Sequence, residues 1–402
     1  MINALRGMKD TLSPDAEVYT YVIDTCTKIA QNYGFSLIET PILEETALFK
    51  RSVGESSDIV GKEMYQFIDK GGNDVCLRPE GTAGVVRAFV QQKFDKAGGI
   101  RRFFYHGPMF RYERPQKGRL RQFHQFGAET FGEPSVQEDA TIIIMLSTMF
   151  KALGIGYTLY INSLGCLVCM PPYRIKLVQF LDTLDGLCED CQKRKLINPI
   201  RVLDCKNETC KELLKNAPLI TECLCVTCMN DFNHLKATLG DQNICFTVNS
   251  KLVRGLDYYS KTAFEFVSSE IGAQSAIAGG GRYDRLVEFL DGKPTPGVGF
   301  AMGIERLMEL VKMPEVVREG YYMGALCEEA QALVFDLVIQ KRKDSKVLNS
   351  FESKSLKNHL KIADKLYVKF CVCIGEDELN QGTLWVKNLE TKEEKTVKLE
   401  DF

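Results

Sequence analysis

The chain has 402 residues, enough for a large core and two or three domains. Its 51 basic and 53 acidic residues nearly cancel, so it has no overall polybasic character, and any nucleic-acid partner must be met by local patches. No 18-residue apolar run occurs, and the start, MINALRGMKDTLSP, lacks a secretory apolar stretch; the expected compartment is the cytosol, where fifteen cysteines mean reduced thiols or metal ligands, not disulfides.

In chain order, Ser13-Pro14 predicts a helix entry with Ser13 as N-cap, a face of Val18, Val22, Thr25 and Ile29, and a C-terminal cap at Gly34. FSLIETPILEETALF reads as an extended segment interrupted by Pro41 and then a short helix. Residues 77–82, LRPEGT, lead into the helical pattern TAGVVRAFV, with Glu80 and Thr82 at its start, either as a cap or as binding groups.

Residues 101–132 predict two antiparallel strands, Phe103 to Phe110 and Phe123 to Phe131, joined by a basic loop from Glu113 to Gln122. Strand alternation puts Arg111 and Glu113 on one face, and Gln125, Gly127 and Glu129 on one face of the partner. A cation, two carboxylates and an amide on one surface suit phosphate and a small amine-bearing substrate, though the pattern also fits a charged surface hairpin. A helix over Glu138 to Leu153 and a strand over Tyr157 to Asn162 follow.

Nine of the fifteen cysteines fall between Cys166 and Cys228. They pair as Cys166 with Cys169, Cys188 with Cys191, Cys205 with Cys210, and Cys225 with Cys228, leaving Cys223 over. Three pairs have the C-x-x-C spacing that lets two thiolates reach one tetrahedral zinc. Eight such ligands make two closed structural sites, or one site plus spare thiols; free thiols are the plain alternative.

Beyond Asn243 come Arg254-Gly255-Leu256-Asp257-Tyr258-Tyr259, which an Arg-Gly turn between strands would also explain, and AGGGRYDRLVEF, a glycine run before a helix that reads as a loop or as backbone approaching a ligand. GVGFAMGIERLMELV predicts strand, glycine turn and helix with Arg306 in the first turn; its glycines do not fit the dinucleotide fingerprint, and no P-loop occurs. His124 alternates away from Gln125, which favours packing or hydrogen bonding over catalysis. From Gly320 strands and helices alternate, predicting a small parallel or mixed sheet, with Ala330, Leu333, Val334, Leu337 and Val338 on one helix stripe. That unit has 13 basic and 14 acidic residues, so it is no general RNA clamp.

FRYERPQKGRLRQFHQFGAETFG resembles motif 2 of the class II aminoacyl-tRNA synthetases, in detail that of histidyl-tRNA synthetases. The helix and strand with Pro41 resemble motif 1, GVGFAMGIERLMELV resembles motif 3, and RGLDYY resembles the histidine-specific signature. The resemblance implies an α+β catalytic core over 1–319, with an antiparallel sheet flanked by helices, a small helical insertion domain at 165–240, and a C-terminal anticodon-binding α/β domain at 320–402 without its usual last helix. It implies a histidine–tRNA ligase that forms histidyl-adenylate from histidine and ATP with magnesium and passes histidine to its tRNA, acting as a homodimer. By the same resemblance Arg111 and Arg254 serve the α-phosphate, Glu113 the adenine and Arg306 the γ-phosphate. Glu80, Gly81, Thr82, Gln125, Glu129, Tyr258, Tyr259 and Tyr283 would hold histidine; Gln116, Lys117, Arg119 and Arg121 would meet the tRNA acceptor end. Zinc at the eight paired cysteines rests on spacing alone. The alternative is a silent histidine-sensing regulatory subunit of ATP phosphoribosyltransferase.

Overall fold

Strands Arg101–Phe110 and Gln122–Phe131 pair antiparallel along their whole length, as alternation predicts. The computed structural model describes residues 2–54, 57, 59–116, 118–256, 258–272, 276–315 and 317–402, in two compact units, Met1–Met313 and Pro314–Phe402. Among the described residues no helix is long and apolar enough to cross a membrane.

In the first unit the hairpin belongs to an eight-stranded sheet in the order Ser36–Leu37, Arg101–Phe110, Gln122–Phe131, Gly297–Gly303, Ala276–Arg282, Ser260–Val267, Thr158–Ser163 and Thr247–Val248. The six inner strands are antiparallel, and the short edge strands pair parallel. Phe104, Phe126, Phe300 and Phe264 point to one face, where helices Asp15–Asn32, Val136–Ala152 and Val226–Asp241 complete the main core. Arg282 crosses into this layer and meets Asp139, both essentially inaccessible to solvent. Stripping either charge of its partner there costs on the order of 3–5 kcal/mol.

Three expectations need correction. The first helix begins at Asp15, with Pro14 at the N-cap, and Ser13 Oγ donates to Glu17 Oε1 at 2.6 Å instead of capping the backbone. Its buried stripe keeps Val22 of the expected face, with Ile29 at the margin, but centres on Val22, Ile23, Cys26 and Ala30, because small Cys26 and Ala30 let the helix seat closely on the sheet. The glycine run lies inside strand Ala276–Arg282, not in a loop: a Cβ on Gly280 would strike the Gly299 carbonyl and the Phe264 ring, so crowding at mid-sheet demands glycine.

The cysteine-rich segment forms its own small core around Tyr173, Leu177, Leu181, Val202 and Leu214. Helix Val226–Asp241, inside the expected insertion at 165–240, instead packs Phe232, Leu235 and Leu239 into the main core.

The second unit is a five-stranded mixed sheet ordered Val347–Asn349, Tyr321–Ala325, Phe370–Ile374, Thr383–Asn388 and Glu394–Lys398, the first three parallel and the rest antiparallel. Helix Gln331–Lys341 buries Val334 and Val338 against it, with its N-cap Ala330 buried beside them and Leu333 and Leu337 at the margin. Among the described residues no α-helix follows the last strand.

Candidate active site

The sheet face opposite the three helices carries the polar side chains. Gln125, Gly127 and Glu129 alternate onto it; Gly299 lies opposite Glu129, Ala301 opposite Gly127, and Gly279 bridges Ala301 and Glu265. Glycine makes this floor low: a Cβ on Gly299 would overlap the Glu129 carboxylate, and one on Gly279 would overlap the Arg254 guanidinium.

Glu129 is fully buried and accepts hydrogen bonds from Thr82 Oγ1 at 2.6 Å and from the Tyr283 hydroxyl. Burial pushes its carboxyl up to about 8; the Glu80 carboxylate adds to the shift and the two hydroxyls oppose it. Glu80 accepts from the Thr82 and Ala83 N–H groups at 2.8 Å each, so the capping reading holds. The same side chain also lines the cavity over the sheet, and burial raises its pKa. Gly81 takes part through its missing side chain, because the Tyr105 ring packs where a Cβ would stand.

That cavity, of about 220 Å³, is ringed by cations. Arg254 contacts Glu265 Oε1 at 3.1 Å and stands 5.6 Å from the Tyr259 ring. Arg111 donates to the Pro79 carbonyl at 2.9 Å, with its guanidinium 5.3 Å from the Phe123 ring. Arg306 donates to the carbonyls of Gly118 and Ala276; burial, then Arg119 and Arg111, lowers its pKa. These three guanidiniums, with that of Arg119 as a fourth on the cavity wall, make a phosphate-binding environment. Behind them Tyr258, Tyr259 and Tyr283 cluster, with Tyr258 centroids 4.6 Å from Tyr259 and 5.7 Å from Tyr283; burial raises all three pKa values, keeping the rings neutral. Among the described residues Gln125 Oε1 and Arg254 Nε are buried without a hydrogen-bond partner, acceptor and donor held open at the site.

Glu80, Thr82, Arg111, Glu113, Arg119, Gln125, Arg254, Tyr258, Tyr259 and Arg306 all line this cavity, while Glu129 and Tyr283 support it from beneath. Arg111 and Glu113 follow the strand instead of lying in it, Glu113 being held by Arg119 at 2.8 Å. Gln116 bridges Arg119 and lines a separate depression, and Arg121 lies 3.8 Å over the Tyr112 ring. Lys117 and Asp257 lie outside the described residues. His124 pairs with Glu305 at 2.9 Å and stacks edge-on against Tyr19, a packing role. Tyr105 and Glu265 escaped the sequence reading, although both sit at alternation positions facing the site.

The cysteines converge as two quartets: Cys166, Cys169, Cys225 and Cys228, and Cys188, Cys191, Cys205 and Cys210, each with its sulfurs within 4.8 Å of one another. Sulfur separations of 3.7 and 3.8 Å match the roughly 3.8 Å edge of a tetrahedron with zinc–sulfur bonds of about 2.3 Å. Backbone N–H groups of Val168, Cys225, Cys188 and Asn207 point at these sulfurs, as thiolates require.

An antiparallel sheet backed by helices, carrying arginines over a glycine floor, defines a class II aminoacyl-tRNA synthetase. Within that class the chain belongs to the histidyl-tRNA synthetase family, whose description, "Histidyl-tRNA synthetase", matches residues 7–167 and 178–307. "Anticodon binding domain" matches residues 339–402. Curated relatives named histidine–tRNA ligase include those of Sulfurimonas denitrificans, 66% identical over all of both chains, and Sulfurovum sp., 62% identical over all of both. The solved apo histidyl-tRNA synthetase of S. aureus superposes with a TM-score of 0.84 at 33% identity, covering 100% of this chain and 98% of that one.

Proposed function

We propose that the chain activates L-histidine with ATP and transfers it to the 3′ end of its tRNA, with the sheet-face residues dividing the first step among themselves. The observation that carries the reading is the juxtaposition of three arginines with a buried carboxylate and tyrosine pocket on one glycine floor. The histidine carboxylate would attack the ATP α-phosphorus, releasing pyrophosphate, while Arg111 and Arg254 stabilise charge on the α-phosphoryl oxygens and Arg306 orients the γ-phosphate. Glu113 would take the adenine amine. Glu80, Thr82, Gln125, Glu129 and the three tyrosines would enclose histidine, with Gly81 leaving room for Tyr105. The carboxylates nearest the cations, Glu113 and Glu265, are each paired with arginine, so magnesium fits as part of the nucleotide, where it shields the outer phosphates. The full-length ligase relatives and the intact set of arginines disfavour a silent regulatory subunit.

The second unit would read the anticodon, and loop residues Gln116, Lys117, Arg119 and Arg121 would meet the acceptor end. Leu37, Ile42, Leu43, Phe67 and Ile68 expose apolar surface, which supports a homodimer whose second copy covers them. Each cysteine quartet would hold one structural zinc: all-thiolate donors at tetrahedral spacing fit a closed site.

Glu129 supplies the test of the pocket. Its folded pKa lies above the ordinary carboxylate value, so the empty site is largely protonated at pH 7 and ionises through about pH 8. A ligand ammonium favours the ionised form, so histidine binding should release a proton and the KM for histidine should fall as pH rises from about 7 to 9. Glu129→Gln should raise that KM about tenfold and flatten its pH dependence. An unchanged pH profile in Glu129→Gln would remove Glu129 from the pocket.

A further inference from the structure

The segment that presents Arg254 has no regular secondary structure of its own, and much of what fixes it comes from the cysteine-rich insertion. Arg201 reaches from the turn Pro199–Asp204 and donates from a terminal guanidinium nitrogen to the Gly255 carbonyl at 2.7 Å. It is only 8% exposed, and Cys205, a member of the second cysteine quartet, follows that turn directly. In the opposite direction Lys251 Nζ donates to the Leu214 and Lys215 carbonyls at 2.9 and 3.0 Å, just beyond Cys210 of the same quartet. Asn162 holds the core side of the segment through the Leu252 carbonyl at 2.9 Å. The carbonyl gripped by Arg201 belongs to the peptide joining Gly255 to Leu256, one residue beyond Arg254, so a shift there reaches the Arg254 backbone through Gly255.

We infer that Arg201 is a positioning residue for adenylate formation: the cysteine-rich insertion delivers its guanidinium to the Gly255 carbonyl and thereby sets where Arg254 stands over the sheet. The inference rests on the assignment of Arg254 to the α-phosphate. It makes the second quartet more than a fastening for a distant domain, since that site fixes the turn from which Arg201 extends. A charge-assisted bond to one carbonyl suits this task, because it restrains a single peptide without adding bulk beside the reacting groups.

The test is histidine-dependent pyrophosphate exchange by the full chain, with turnover expressed per active site titrated by adenylate formation and zinc measured in every variant. Arg201→Ala should lose roughly ten- to a hundredfold in kcat, the scale of a displaced catalytic group, with KM for histidine within about twofold and zinc content unchanged. Arg201→Lys should recover most of the turnover, because an ammonium can still donate to one carbonyl. The double variant Arg201→Ala/Arg254→Ala should be no slower than Arg254→Ala alone, since Arg201 acts through Arg254. Wild-type turnover per site in Arg201→Ala, no recovery in Arg201→Lys, or a double variant whose losses multiply overturns the inference. Wild-type turnover in Arg254→Ala instead defeats the assignment on which it rests, so the two failures are told apart.

Discussion

Arg254→Ala is expected to lower the turnover of histidine-dependent pyrophosphate exchange by roughly 10²-fold or more, the scale for losing one preorganised electrostatic group. The guanidinium is placed for that work: Glu265 holds one terminal nitrogen at 3.1 Å, Tyr259 flanks it, and Gly279 lets it lie flat on the sheet. Its charge is retained, because the tyrosines and Glu265 favour the cation against the cost of burial. The loss should fall on kcat more than on the KM for histidine, since the charge it meets develops in the transition state. Lysine at this position should rescue poorly, for a single ammonium cannot keep Glu265 and reach a phosphoryl oxygen with planar geometry. Normal exchange in Arg254→Ala would end its assignment.

Removing metal is expected to loosen residues 166–225 while the main sheet stays folded. The insertion's core is small, built on a few side chains such as Leu177, Val202 and Leu214, and a segment of that size buries too little apolar surface to stand alone. Structural zinc in comparable peptides contributes about 10–16 kcal/mol of apparent binding free energy, which becomes folding free energy when the apo site is unformed. Purified protein should therefore carry about two zinc equivalents per chain, and chelation should raise amide exchange in the insertion first. Cys223 stands outside both quartets, so Cys223→Ser should keep both equivalents. Metal-free protein with its paired thiols titrating freely would contradict the assignment.

Local physics made some of this legible in the sequence and hid the rest. Alternation along residues 101–132 placed Gln125 and Glu129 on one face, because a strand's period of two is a local property. The C-x-x-C spacing marked three of the four cysteine pairs, but which pair joins which is decided by a return of the chain over roughly 60 residues, from Cys166 to Cys225. Glu80 sat between two readings because it does both things: it caps two N–H groups and lines the cavity. The glycines of Ala276–Arg282 looked like a loop since their cause is what lies above and below them, Arg254 on one side and Phe264 on the other. Arg282 likewise gave no local sign of its partner: Asp139 comes from a helix laid down 143 residues earlier.

This site is expected to make an adenylate from histidine and from no other amino acid. Exchange of labelled pyrophosphate into ATP, run on the intact chain against a panel of the twenty amino acids without tRNA, tests it most directly. The expected result is exchange with histidine alone, saturable in both histidine and ATP. Tight histidine binding with no exchange, or equal exchange with several amino acids, would contradict a histidine-activating site.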